Sequence, residues 1–154
     1  MGVFQGLKPE AVWGYFEEIC QVPRPSKKEG KIIAYLLDWA KKHNLEAKRD
    51  DAGNVLIKKP ATKGKENAPT VILQAHMDMV CEKNADTVHD FDKDPIKPYI
   101  DGEWVKAKGT TLGADDGIGI AAALAVLTDE NIQHGPLECL FTVDEETGLT
   151  GAFA

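Results

Sequence analysis

Two short apolar runs, residues 71–75 and 137–143, most constrain the fold of this chain, since each suits a buried strand. Between them, small residues at 118–127 predict a helix, which follows a Gly- and Thr-rich loop at residues 109–117. Strands that alternate with helices are typical of an α/β sheet. The sequence therefore predicts an α/β fold.

Two hairpin signals indicate that the sheet is mixed. The turn Asp51-Ala52-Gly53-Asn54 and the pair Asp101-Gly102 each separate two segments with strand character. The flanking segments are residues 46–49 with 55–58, and residues 99–100 with 103–105. Antiparallel hairpins beside strands joined through a helix predict a mixed sheet.

Two helices are predicted before the first hairpin. Apolar residues recur at helical spacing between Pro9 and Cys20. Ser26 followed by Glu29 is typical of a capping box that begins a second helix, and Asn44 is its predicted end. Helices thus precede the sheet as well as connecting its strands.

The composition limits the partners that the chain can have. Its 154 residues favour one domain, with 43% hydrophobic and 28% charged residues, and 18 basic against 25 acidic side chains argue against a nucleic-acid surface. The longest apolar stretch, residues 118–127, is about half of what a membrane span needs. The first six residues lack a secretory signal, and the three scattered cysteines fit a reducing compartment. We expect a cytoplasmic protein with neither nucleic acid nor a membrane as a partner.

Polar residues are concentrated at three junctions between predicted elements. They are His76 with Asp78, Asp115 with Asp116, and Glu145 with Glu146. Ligands of open α/β sheets bind outside the carboxyl ends of the strands. Converging acids repel each other unless a cation lies between them. One imidazole with several carboxylates suits zinc, manganese or cobalt better than calcium, so the junctions predict a metal site.

Each residue type has a natural role in such a site. His76 would bind metal through one ring nitrogen, and Asp78 would accept a hydrogen bond from the other and fix the tautomer. One aspartate carboxylate can bridge two metal ions. Of Glu145 and Glu146, one can bind metal while the other takes a proton from water. Each junction alone is also typical of a helix cap, a strand end or a solvated surface.

Other chemistries are disfavoured by the residues present. Residues 117–122 imitate a dinucleotide fingerprint, but no strand leads directly into them. Residues 90–94 begin like a calcium loop, yet Pro95 stands where that loop turns on a glycine. The single serine, Ser26, is assigned to a helix cap, and Cys81 is best explained as a packed thiol.

The three junctions also carry a family resemblance. Residues 76–84 (HMDMVCEKN), 109–119 (GTTLGADDGIG) and 144–148 (DEETG) resemble the co-catalytic two-zinc metallopeptidases. Among these, the chain is most similar to the cytosolic aminoacyl-histidine dipeptidases, also called Xaa-His dipeptidases or peptidase D. The resemblance runs through essentially all 154 residues and implies a zinc-peptidase-like catalytic domain with a mixed sheet.

The resemblance assigns roles position by position. It implies that His76 binds one zinc ion, that Asp115 bridges both and that Glu146 binds the second. It also implies that Glu145 is the general base and acid, and that Asp78 orients His76.

The resemblance leaves one position open and predicts further parts. Relatives often carry Asn where this chain has Asp116, so the role of Asp116 is open, and a cis peptide is expected at Asp115–Asp116. The family also uses two downstream metal ligands and an inserted lid. Residues 1–154 are therefore expected to be the N-terminal half of a catalytic domain without its lid, inactive alone and part of a homodimer when complete.

The implied reaction is hydrolysis of unblocked dipeptides, preferring Xaa-His, by a water bridging two zinc ions. Manganese or cobalt are possible substitutes for zinc. The alternatives are an aminotripeptidase or an N-acyl amino-acid deacylase with the same metal site. A third alternative is a catalytically inactive metal-binding piece.

Overall fold

Two helices, five strands, a third helix and a sixth strand follow one another along residues 2–154, which are the residues that the computed structural model describes. The elements are α1 (Glu10–Cys20), α2 (Gly30–Lys42), β1 (Glu46–Arg49), β2 (Val55–Lys59), β3 (Val71–His76), β4 (Pro98–Asp101), β5 (Trp104–Ala107), α3 (Ala114–Thr128) and β6 (Leu137–Thr142). This order confirms the predicted α/β class. Among the described residues, no helix has both the length and the apolar content to cross a membrane.

The main sheet has four strands in the order β1-β2-β6-β3. The pairs β1–β2 and β2–β6 are antiparallel, and the pair β3–β6 is parallel, which confirms the predicted mixed sheet. Strands β4 and β5 form a separate hairpin. In the parallel pair His76 lies opposite Thr142, so the carboxyl ends of β3 and β6 meet at one edge of the sheet.

The first hairpin turn is held by its own polar side chains. The Asp50 carboxylate accepts hydrogen bonds from the backbone N–H groups of Gly53 and Asn54, each at 2.8 Å. Gly53 has φ +106°, a left-handed conformation that favours glycine. The Asn54 side chain then binds Val143 N–H at 3.0 Å and the Gly151 carbonyl at 2.9 Å. The hairpin thereby anchors the segment that follows β6.

The helices cover the sheet with apolar side chains. Helix α1 packs against α3, and α2 packs against β1 and β2. Full burial of a large apolar side chain contributes about 1.5–3 kcal/mol, and many residues here are fully buried. The largest of these apolar side chains are Phe16, Phe141, Ile19, Ile32, Leu36, Ile57, Met77, Ile120 and Leu124.

The predicted capping box at Ser26 and Glu29 is wrong. Helix α2 begins at Gly30, and its N-cap residue Glu29 makes no side-chain cap hydrogen bond. The Ser26 hydroxyl instead donates to Oδ2 of Asp78 at 2.7 Å. A hydrogen bond to a buried carboxylate is stronger than one to a neutral acceptor, which explains why the hydroxyl turns away from the helix.

Strand β3 was expected to be buried, but only its last two residues, Ala75 and His76, are. Val71 and Ile72 are 48% and 60% exposed, whereas Ala75 and His76 are 3% and 7% exposed. Within residues 2–154, β3 is an edge strand, so its first residues lack a neighbour on one side. The buried end of β3 carries His76, the first of the predicted site residues.

Candidate metal centre

The three predicted metal ligands lie together at the edge of the sheet. His76 is the last residue of β3, Asp115 lies in the first turn of α3, and Glu146 follows the end of β6. One ligand atom of each residue lies within 4.8 Å of the other two. The parallel pairing of β3 with β6 brings His76 and Glu146 to the same edge, and the first turn of α3 adds Asp115.

Glu145 lies beside this cluster without being a member of it. Its Oε2 atom is 3.9 Å from Nε2 of His76, and its side chain is 36% exposed. Glu145 and Glu146 lie at the turn that follows β6, and of the two only Glu146 contributes an oxygen atom to the cluster. This arrangement separates the two glutamates in the way that different roles would require.

Both ring nitrogens of His76 contact carboxylates. Nε2 lies 2.9 Å from Oδ1 of Asp115, and Nδ1 lies 3.3 Å from Oδ1 and 3.1 Å from the carbonyl oxygen of Asp78. Burial opposes protonation of His76, but the hydrogen bonds to both carboxylates outweigh burial and raise its pKa to about 9. Asp78 therefore contacts the nitrogen that faces away from Asp115, as its predicted orienting role requires.

Asp78 is fully buried and makes more contacts than the sequence indicated. Its Oδ1 accepts the backbone N–H of Glu145 at 3.0 Å, and its Oδ2 accepts the N–H of Glu146 at 3.2 Å together with the Ser26 hydroxyl. Burial alone would raise the pKa of Asp78, yet these bonds and His76 hold it well below its usual range. Asp78 thus positions the backbone of both glutamates as well as the imidazole ring.

Asp115 and Asp116 diverge at the start of α3. The peptide bond between them is cis, which confirms the prediction, and both residues have non-helical φ and ψ angles. The Asp115 side chain is 87% exposed, whereas Asp116 Oδ1 turns inward and accepts the N–H of Gly119 at 3.2 Å. A Cβ on Gly119 would lie 2.2 Å from that oxygen, so a larger residue there would displace the Asp116 carboxylate. Asp116 therefore caps the helix and does not belong to the ligand cluster.

The electrostatics of the cluster favour a bound cation. Burial raises the pKa of Glu146, and the carboxylates of Asp115 and Glu145 raise it further against the opposing effect of His76. Several carboxylates so close together are stabilised when a cation neutralises them. The donor set of one imidazole and two carboxylates fits zinc, manganese or cobalt. The residues present therefore fit a divalent metal ion.

A second group of acids lies behind the first and is structural. Glu29, Asp78 and Asp144 are all buried and bring oxygen atoms within 4.8 Å of one another. Glu29 accepts the backbone N–H of Asp144 at 2.9 Å, and the Asp144 carboxylate accepts the hydroxyls of Thr147 and Thr150. Because donors of the chain itself satisfy these acids, they support the loop after β6.

Cys81 lies close to the cluster but has the character of a packed thiol. Burial raises the pKa of its thiol to about 11, so it is protonated near neutral pH. Its Sγ atom contacts the carbonyl oxygen of Met79 at 3.5 Å. This agrees with the prediction that Cys81 is a packing residue.

The role of Arg24 was not predicted from the sequence. Pro23 and Pro25 flank it, and this motif predicts only a break between α1 and α2. In the structure Arg24 is 2% exposed, and its guanidinium reaches the backbone beside the ligand-bearing segments. The sequence feature that could have drawn attention to Arg24 is its position between Pro23 and Pro25.

The protein thus has an α/β fold with a candidate metal centre. One histidine and two carboxylates form this centre near the carboxyl ends of the parallel strands. The chain belongs to the peptidase family M20/M25/M40, whose model matches residues 72–154. That match spans β3, α3 and β6, the elements that carry the cluster.

Individual relatives agree with this assignment. The chain is 59% identical over 153 residues to the cytosol non-specific dipeptidase of Escherichia coli K12, covering 99% of this chain and 32% of that protein. The crystal structure of aminoacylhistidine dipeptidase from Vibrio alginolyticus superposes with a TM-score of 0.95 at 56% identity, covering 100% of this chain and 32% of that one. An aminopeptidase from Bacillus cereus gives a TM-score of 0.77 at 33% identity, covering 94% and 39%.

These comparisons confirm the resemblance to the aminoacyl-histidine dipeptidases. They also show that the chain spans about a third of the length of its first two relatives.

Proposed function

We propose that the protein carrying these residues hydrolyses unblocked dipeptides in a metal-dependent reaction. The observation that carries this proposal is the cluster of His76, Asp115 and Glu146, with Glu145 beside it, in a chain that belongs to a peptidase family. A fold alone does not define a reaction, so the proposal rests on this site.

His76, Asp115 and Glu146 would hold the metal, with Asp115 as the bridge between two zinc ions. The proposal of zinc is supported by the mixture of imidazole and carboxylate donors, and manganese or cobalt would suit the same donors. When bound, such ions polarise a substrate carbonyl and lower the pKa of water.

Glu145 would act as the general base and acid. Its carboxylate is partly exposed beside the cluster, so it can accept a proton from the attacking water and pass it to the leaving amine. Its backbone N–H is held by Asp78, which also contacts Nδ1 of His76. Asp78 would thereby fix the base and the imidazole relative to each other.

The substrate would be a dipeptide with free ends, and Xaa-His is the preferred class. This choice is supported by the similarity to a protein named aminoacylhistidine dipeptidase. The Escherichia coli relative is named a non-specific dipeptidase, so the preference for Xaa-His is a narrower proposal than dipeptidase activity itself. An aminotripeptidase or an N-acyl amino-acid deacylase would use the same cluster on a different substrate.

We also propose that residues 1–154 form the N-terminal portion of a metallopeptidase catalytic domain. This is supported by their coverage of about a third of the relatives' length. Turnover would then need parts of the longer protein, in a cytoplasmic homodimer, and these 154 residues alone would bind metal without turnover.

The test is a dipeptidase assay on the full-length protein with zinc, with and without a chelator. Substrates are an Xaa-His dipeptide, other dipeptides, a tripeptide and an N-acyl amino acid. We expect chelator-sensitive cleavage of dipeptides, fastest for Xaa-His. Glu145→Gln should reduce kcat at least about 100-fold with metal content unchanged, because it removes the proton acceptor.

Glu130→Gln is the matched control, since Glu130 is exposed and follows the end of α3 opposite to that of Asp115. Cleavage of only the tripeptide or the N-acyl substrate would reject the dipeptidase proposal and leave the metal site standing. Loss of metal in Glu145→Gln would make Glu145 a ligand instead of the base.

A further inference from the structure

Arg24 is a buried cation that contacts both segments bearing the first two metal ligands. One guanidinium nitrogen, Nη1, donates to the carbonyl oxygens of Met77 and Asp78, each at 3.1 Å. The other, Nη2, donates to the carbonyl oxygen of Gly113. Arg24 therefore joins two loops that are distant in the sequence.

These contacts lie next to the ligands themselves. Met77 and Asp78 directly follow His76, and Gly113 precedes Asp115 by two residues. The Arg24 guanidinium thus spans the gap between the segment that bears His76 and the segment that bears Asp115. A planar guanidinium with several fixed donors can hold two groups at a defined separation, which a flexible ammonium cannot do as well.

The backbone around Arg24 docks on the same segment. Met79 donates its backbone N–H to the Arg24 carbonyl at 3.1 Å, and Pro25 forms a parallel bridge with Met79. The Ser26 hydroxyl binds the Asp78 carboxylate. The turn of residues 24–26 therefore holds the segment after His76 through backbone and side chain together.

Two glycines make room for the guanidinium. A Cβ on Gly113 or on Gly117 would lie 2.6 Å from Nη2 of Arg24. Gly113 also has φ +69°, in the left-handed region. The end of the loop before α3 and the first turn of α3 are thus shaped around Arg24, which explains Gly113 and Gly117.

Burying this charge is costly. Burial lowers the pKa of Arg24 against the opposing effect of nearby acids, and none of the ion pairs formed within residues 2–154 involves it. Its hydrogen bonds go to three backbone carbonyls, and a neutral apolar side chain of similar volume would leave these acceptors without that donor. The charge is thus buried at a place where one guanidinium serves acceptors in both ligand-bearing segments.

We propose that Arg24 is a positioning residue of the metal centre, whose guanidinium sets the separation between His76 and Asp115. This inference rests on the metal site of the proposed function. Arg24 would act through the two backbone segments that present the ligands, because its guanidinium donates hydrogen bonds to the carbonyls of those segments.

The test measures metal binding, using full-length protein freed of metal and titrated with cobalt(II). The variants are Arg24→Lys and Arg24→Met, and the control is Arg49→Met, because Arg49 is the other arginine of the chain and is exposed. Calorimetry gives the affinity, the visible cobalt spectrum reports the coordination geometry, and circular dichroism with urea unfolding reports folding.

We expect both Arg24 variants to bind cobalt about 10-fold to 100-fold more weakly with an altered spectrum, since partners of ligands have effects of that size. Arg24→Lys keeps the charge, so its affinity for cobalt should lie between that of the wild type and that of Arg24→Met. Arg49→Met should bind as the wild type does.

A purely structural role predicts another result. Variants that are folded at the temperature of the titration would then bind cobalt with wild-type affinity and spectrum, which overturns the proposal. If Arg24→Met does not fold, Arg24→Lys decides: wild-type affinity rejects positioning, and weaker binding by folded protein supports it.

The proposed reaction and this inference fail in different ways. Wild-type protein that binds cobalt but cleaves no dipeptide rejects the reaction, while the Arg24 variants still decide the positioning role. Wild-type protein that binds no divalent metal rejects the metal centre and the positioning role together.

Discussion

Asp78 and Asp115 both contact His76, but they lie in opposite surroundings. Asp78 is fully buried and accepts hydrogen bonds from Ser26 and from the backbone of Glu145 and Glu146. The Asp115 side chain is 87% exposed, and its hydrogen bond is to Nε2 of His76. One carboxylate is thus held from several sides, and the other faces solvent.

This difference shows how one kind of side chain can serve two purposes. A buried carboxylate that is fully hydrogen-bonded gives the site a rigid frame, because any movement would break several bonds. An exposed carboxylate keeps free oxygen atoms and can bind a metal ion without first losing a set of protein partners. We therefore expect Asp78 to matter for stability and Asp115 for metal binding.

The largest expected effect is the loss of stability in Asp78→Ala. This change leaves His76 and several buried donors without their acceptor, and we expect the free energy of unfolding to fall by about 3–5 kcal/mol. Asp115→Ala should change it by at most about 0.5 kcal/mol without metal, because its side chain is exposed. Urea unfolding of the metal-free proteins measures the free energy of unfolding of both variants. Equal losses of this free energy would contradict the different roles of Asp78 and Asp115.

A smaller effect is the stabilisation that metal provides. At a free zinc concentration about 100 times the Kd, the wild type should gain about 2.7 kcal/mol over the chelated protein. Asp115→Ala and His76→Ala should gain much less, because each lacks a proposed ligand. Thermal or urea unfolding with zinc and with chelator checks this. If zinc stabilises Asp115→Ala as much as the wild type, Asp115 is excluded as a ligand.

The smallest expected effect is that of Asp116→Asn. Asparagine keeps an oxygen that can accept the Gly119 N–H, so we expect stability within about 0.5 kcal/mol of the wild type. Metal content should also stay unchanged, in contrast to Asp115→Asn. Metal analysis of both purified variants checks this, and metal loss in Asp116→Asn would make Asp116 part of the metal centre.

Local patterns predicted a large share of the fold. The hairpin at Asp50–Asn54 depends on hydrogen bonds between residues at most four positions apart, so its signal lies within one short segment. The runs at β3 and β6 were recognised for the same reason, although the exposure of Val71 and Ile72 was not. Exposure depends on which strands pair, and a single segment does not contain that information.

In the candidate site too, local patterns were predicted and contacts between distant segments were not. Polar residues after two strands and before a helix predicted that His76, Asp115 and Glu146 converge, and the structure brings them together. The capping box at Ser26 was wrong, because the hydroxyl binds Asp78, 52 positions away. Arg24 was missed for a similar reason, since its acceptors are 53, 54 and 89 positions away.

The sequence by itself determined the class of fold, the places where polar residues interrupt apolar runs, and the family. These depend on side-chain types at short spacing and on motifs in a fixed order. Only the tertiary structure decided that Asp78 is the buried frame of the site, that Asp116 caps a helix, and that Arg24 joins two ligand segments. The physical reason is that burial and hydrogen bonding of a polar group depend on which distant segments pack around it.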